Sequence, residues 1–115
     1  MNQSHQKHYI SGVQQIGIGV QDLQVSKLWY KQFLGMDVQV FDDQAEAPLM
    51  TQYTGEKVHA RHALLSMNIA GGGGMEVWQY VSRVPQPSEF AIKIGDLGIF
   101  AAKIKSNDVI TMYIT

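Results

Sequence analysis

Val13-Gln14-Gln15-Ile16-Gly17-Ile18-Gly19-Val20 runs through Gln21 into Asp22 and a segment that ends Phe33-Leu34-Gly35-Met36-Asp37. The stretch reads as a strand, a capped helix, a glycine stop and a second strand. Over 10–20, Ile16, Ile18 and Val20 alternate with Gln15, Gly17 and Gly19, the period of two that a strand imposes. One face is branched and apolar. The other is small or polar, so a ligand or another backbone can approach it closely. Asp22 suits a helix N-cap, where its carboxylate accepts a first-turn amide. Val25, Leu28, Trp29 and Phe33 fall on one helical stripe, read as core, with Gln24, Lys27 and Lys31 largely away from it. Gly35 can take the left-handed conformation that ends a helix. Val38 and Val40 then alternate with Asp37 and Gln39, predicting a strand over 36–41.

Outward from that stretch, 42–56 holds Pro48, Gly55 and several acidic or polar residues. It reads as a long loop with a short extended piece at 50–53. A third strand is expected over 58–70, with Ala63, Leu65, Met67 and Ile69 on one face and His62, Leu64, Ser66 and Asn68 on the other. Gly71 to Gly74 supply the hairpin turn. A fourth strand follows over 75–81, with Val77 and Val81 on one face and Glu76, Trp78 and Tyr80 on the opposite one. Pro85 and Pro87 mark a linker over 83–96. Ile99 to Lys105 reads as a fifth strand, and Ser106 or Asn107 as the cap of a helix through Tyr113. Gly17-Ile18-Gly19-Val20-Gln21-Asp22 and Ala101-Ala102-Lys103-Ile104-Lys105-Ser106-Asn107-Asp108 form an imperfect repeat.

The chain has 115 residues, 45% apolar and 17% charged, with a net charge of -1. That is ordinary for one globular domain. The basic residues are scattered, without the clustered patch of a nucleic-acid binder. No apolar run approaches the roughly 20 residues that span a bilayer, so no membrane partner is expected. The absence of cysteine removes disulfides, thiolate nucleophiles and zinc–cysteine sites. It leaves the compartment open, with the cytoplasm the expected location. Residues 1–9 read as a tail that carries His5 and His8. The glycine run is not a phosphate loop, because it lacks the following Lys-Ser/Thr and leads into a strand.

The first strand, the Asp22-capped helix, Gly35 and the run Gly71 to Gly74 before Met75-Glu76-Val77-Trp78 together resemble the first βαβββ module of the vicinal oxygen chelate superfamily. That superfamily includes glyoxalases, extradiol dioxygenases and bleomycin-resistance-type binding proteins. The resemblance implies an α+β fold in which a curved mixed sheet surrounds a cup. A ferredoxin-like sandwich, the alternative, needs a second full helix in mid-chain. The first module spans 10–82, and 97–115 resembles the start of a second, truncated one. A full second module needs about 30 to 40 more residues. The expectation is therefore a fragment, or a homodimer built by sheet or strand exchange.

In metal-using members of the superfamily one ligand stands on the first strand of a module and a carboxylate on its last. Carried over to this sequence, those positions are Gln15 and Glu76. Divalent manganese, nickel, zinc or iron is implied by Glu76 in its family position, whereas the missing second-module ligand favours a metal-free protein. His62, read on the cup face, is the candidate catalytic base or third ligand. Its plain alternative is a partly exposed strand histidine. Trp78 and Tyr80 are the candidate platform for a flat ligand, or else simple packing. Two functions are implied. One is a metal-dependent lyase or dioxygenase acting on a small molecule with adjacent oxygens. The other is a metal-free small-molecule binding or resistance-type protein, or an inactive fragment, using the same cup.

Overall fold

A computed structural model describes residues 9–10, 12–71 and 73–114. The elements are β1 (Gln15–Gly19), α1 (Leu23–Leu34), β2 (Val38–Glu46), a 3-10 turn (Pro48–Tyr53), β3 (Ala60–Asn68), β4 (Gly73–Tyr80) and α2 (Val109–Ile114). His5 and His8 lie outside the described residues. The sheet order is β1-β4-β3-β2. The pair β1–β4 is parallel, whereas β3–β4 and β2–β3 are antiparallel. This is the mixed sheet and α+β class expected from the sequence.

The helix forms where local chemistry dictates. Asp22 Oδ1 accepts from the Val25 amide at 3.0 Å, satisfying one of the first-turn donors that a helix leaves open. At the other end Gly35 adopts φ 61°, and its amide turns back to the Tyr30 carbonyl. Asn68 Nδ2 donates to the Leu34 carbonyl at 2.8 Å, so β3 closes the last turn. Leu23 N donates to Gln79 Oε1 at 2.8 Å, which fastens the helix start to β4.

That attachment sets the rotation of α1. Leu23, Leu64 and Val77, each 1% exposed, form the core, with Val20 and Tyr30 packed against them. Of the apolar stripe read as core, Val25, Leu28 and Trp29 are 64%, 65% and 50% exposed, and Phe33 is half-buried. The helix is apolar on more than one side, and the Leu23–Gln79 bond selects the side carrying Leu23 and Tyr30.

Three further expectations are corrected. First, the strand expected to end at Phe41 continues to Glu46. Its polar residues Asp42, Asp43, Gln44 and Glu46 pair with Leu64, Ala63, His62 and Ala60 across the antiparallel ladder, so non-local pairing overrides local polarity. Second, the piece expected to be extended at 50–53 is helical. Pro48 starts this turn, and Thr54 Oγ1 closes it by donating to the Lys57 carbonyl at 2.6 Å. Third, no strand forms over 99–105. β1 ends the sheet, and among the described residues nothing pairs with its outer side. Ile94 and Leu97 just before 99–105 and Ile99 at its start are 85%, 104% and 73% exposed. The radius of gyration, 17.5 Å, accordingly exceeds the value of about 13 Å for a compact chain of this length. α2 begins near its expected place, but Asp108 rather than Ser106 or Asn107 accepts from the Thr111 amide, at 3.0 Å.

β4 also starts two residues early, at Gly73. Gly74 has a reason to be glycine. A Cβ there would stand 3.0 Å from Met67 Cγ and 3.1 Å from the Ser66 carbonyl oxygen.

Candidate functional site

The sheet has a helix side and an open side, and register assigns each residue to one of them. Leu64 stands opposite Val77, so both point to α1. Ala63 opposite Trp78, Leu65 opposite Glu76 and Arg61 opposite Tyr80 then share the other face. In the parallel pair, Gly17 lies beside Glu76 and Gly19 beside Trp78, which brings Gln15, Gly17 and Gly19 to the same open face. A Cβ added at Gly17 or Gly19 would meet nothing within 4 Å, so the space above this end of β1 is clear.

Four of the five residues singled out from sequence meet on this face. Gln15 Nε2 donates to Glu76 Oε2 at 2.6 Å, a short bond of the charge-assisted kind. Two residues further along β4, the Trp78 ring meets Tyr80 edge-on, with centroids 5.4 Å apart at 71°. His59 adds an edge contact to Tyr80 at 6.1 Å and bonds Ser82 Oγ through Nδ1 at 3.0 Å.

His62 is not among them, which corrects its expected place on the cup face. It stands opposite Gln79, on the helix side with Leu64, because alternate residues of a strand face opposite ways. There its Nε2 bonds Asp42 Oδ1. Lys27 Nζ lies 3.7 Å from Asp42 Oδ2 and donates to Gln39 Oε1 at 2.9 Å. The His62 hydrogen bond, with lesser help from the His62 and Lys27 charges, holds the Asp42 carboxyl below its ordinary range against the opposing effect of burial. The cluster ties α1 to β2 and β3.

The sequence reading missed Arg61 and Asp43. Arg61 Nη1 pairs with Asp43 Oδ2 at 2.7 Å and donates to the Asp43 carbonyl at 2.9 Å. Its guanidinium carbon lies 5.8 Å from the Trp78 ring centroid, within cation–π range. Arg83 lies 5.7 Å over the Tyr80 ring. The detectable signal was alternation along β3, which puts Arg61 with Ala63 and Leu65. What hid it was the assignment of the other β3 face to the cup.

Recesses lie towards the two ends of the sheet. One, of about 560 Å³, includes Tyr80, Arg83 and Gln21; the other, of about 1070 Å³, includes Gln15, Met36 and Asn68. As metal donors, Gln15 and Glu76 offer an amide oxygen and a carboxylate. Among the described residues no group of three or more His, Cys, Asp or Glu comes together. Catalytic zinc sites use three protein ligands, and Gln15 and Glu76 are two. No helix among the described residues is long and apolar enough to cross a membrane.

No protein-family model and no curated protein sequence matches this chain. Among solved structures, the fold is similar to that of a glyoxalase family protein from Bacillus cereus. The TM-score is 0.69 at 13% identity, over 95% of this chain and 72% of that one. Such low identity speaks to architecture alone. The chain has a glyoxalase-like fold.

Proposed function

We propose that this chain is a small-molecule binding protein of glyoxalase-like type, with its ligand held on the open face of the sheet. The observation that carries this reading is the shared face of Trp78, Tyr80, Glu76 and Gln15, beneath space left clear by Gly17 and Gly19. Apolar surface beside a few convergent polar groups is the usual make-up of a ligand site. Trp78 and Tyr80 offer the ligand aromatic contact, while Gln15 and Glu76 orient its polar atoms. The test is amide NMR with a panel of neutral flat fragments, benzamide among them. Shifts at 15–19 and 76–80 that vanish in Trp78→Ala are expected. Shifts elsewhere, or none, contradict the reading.

A second reading, a metal-dependent lyase or dioxygenase, is favoured by one contact, the 2.6 Å approach of Gln15 to Glu76. Gln15 and Glu76 are two donors, and a second copy would supply more; the β1 edge, unpaired among the described residues, and the uncovered Ile94, Leu97 and Ile99 also favour one. In this proposal the cytoplasmic protein is a homodimer joined by strand pairing. A strictly monomeric species in light scattering at micromolar concentration contradicts it.

A further inference from the structure

We infer that the ligand of the open face carries a carboxylate or an equivalent planar anionic group, bound between Arg61 and Tyr80. The inference rests on the binding reading above and goes further, by naming the chemistry at one end of the face.

Arg61 and Tyr80 stand directly opposite each other on β3 and β4. The Arg61 side chain is only 19% exposed, and both of its bonds to Asp43 use Nη1. Its Nε and Nη2 hydrogens have no partner among the described residues. The Tyr80 hydroxyl is buried and likewise has no hydrogen-bond partner among them. Buried polar atoms are nearly always satisfied, so one that is not calls for an explanation. The buried Tyr80 hydroxyl asks for an acceptor, and the Arg61 hydrogens that Asp43 leaves unused belong to the residue paired with Tyr80 on the neighbouring strand. A guanidinium fork matches a carboxylate in particular, through two parallel N–H bonds.

The surrounding charges agree. Arg83 lies over the Tyr80 ring, adding a second cation at this end. Asp43 neutralises only the Nη1 side of Arg61, and its carboxylate is about half exposed, at 52%. Glu76, which repels anions, is four residues along β4, about 13 Å at the strand rise. The open face is thus polar along its length, cationic at Tyr80 and acidic at Glu76, with the Trp78 ring between. A flat ligand with its anionic head at Arg61 lays its body on Trp78 and presents any hydroxyl or carbonyl oxygens towards Gln15 and Glu76.

Benzoate and benzamide separate this inference from the reading beneath it, since they share shape and differ in charge. Both are titrated into the full chain at pH 7 by amide NMR, beside Arg61→Gln, Arg61→Lys and Tyr80→Phe. Benzoate is expected to bind about tenfold more tightly than benzamide, as a charge-assisted pair warrants. That preference disappears in Arg61→Gln, is reduced in Arg61→Lys, which keeps the charge and loses the fork, and falls severalfold in Tyr80→Phe. Amide spectra of the ligand-free variants that match the unaltered chain away from the substituted position show that the face is intact. Equal binding of the two probes by the unaltered chain overturns the anion inference and leaves the binding reading standing. A benzoate preference that survives Arg61→Gln overturns the role of Arg61. No binding of either probe overturns both.

Discussion

Gln15 and Glu76 are 61 residues apart in the chain and 2.6 Å apart in space. The parallel pairing of β1 with β4 puts Gly17 beside Glu76, so Gln15 reaches across on the diagonal. Because Gly17 has no side chain, nothing intervenes. The carboxylate is thereby satisfied by a neutral amide rather than by a cation.

Glu76→Ala removes that acceptor. The lost bond costs about 1 kcal/mol, and the chain stays folded because the core of Leu23, Leu64 and Val77 lies on the other face. Calorimetric titration with manganese, nickel, zinc or iron(II) tests the metal-dependent reading. Any binding by the unaltered chain is expected to vanish in the variant. Unchanged metal affinity removes Glu76 as a ligand.

The rotation of α1 predicts a contrast between two large apolar residues. Leu64→Ala, at a position 1% exposed, is expected to cost about 2–5 kcal/mol. Trp29→Ala, at a position half exposed, costs under about 1 kcal/mol. Urea unfolding of both variants measures the difference. Equal destabilisation contradicts the observed packing.

Asp42 gives the stability a pH dependence of known sign. Its folded carboxyl titrates below its ordinary range, chiefly through the bond from His62. The unfolded chain therefore binds the proton first as pH falls. The stabilisation is complete above the unfolded pKa of about 3.9 and is lost as pH drops through the lower folded value. Asp42→Asn is expected to flatten the urea midpoint against pH in that acid range. An unchanged slope shows that the His62–Asp42 contact does not contribute.

Gly35→Ala is expected to destabilise by more than about 1 kcal/mol. The residue must hold φ 61°, and its new Cβ would meet Asn68 Nδ2 at 2.9 Å. A thermal midpoint within experimental error of the unaltered chain contradicts this account of the helix end.

What the sequence made legible was local. Asp22 and Gly35 bound α1 because a cap acts within one turn. Period-two alternation put Glu76, Trp78 and Tyr80 together and Gln15 with the glycines. What it hid depends on contacts between distant segments. Which face of β3 joins the cup is decided by hairpin register, and Gly71 to Gly74 impose no fixed loop length, so His62 and Arg61 exchanged sides. The length of β2 comes from β3, whose residues pair with the polar run Asp42–Glu46. The rotation of α1 comes from Gln79, since Val25, Leu28 and Trp29 are as apolar as the residues that pack. Ile99 to Lys105 has strand-like sequence, and a strand requires a neighbour.

The most direct test of the binding face compares Trp78→Ala with His62→Ala in a single benzamide titration followed by amide NMR. The two residues lie on neighbouring strands but on opposite faces of the sheet. Loss of binding in Trp78→Ala, with binding by His62→Ala within about twofold of the unaltered chain, is the predicted result. Loss in His62→Ala with Trp78→Ala unaffected would put the ligand on the helix side and contradict the account.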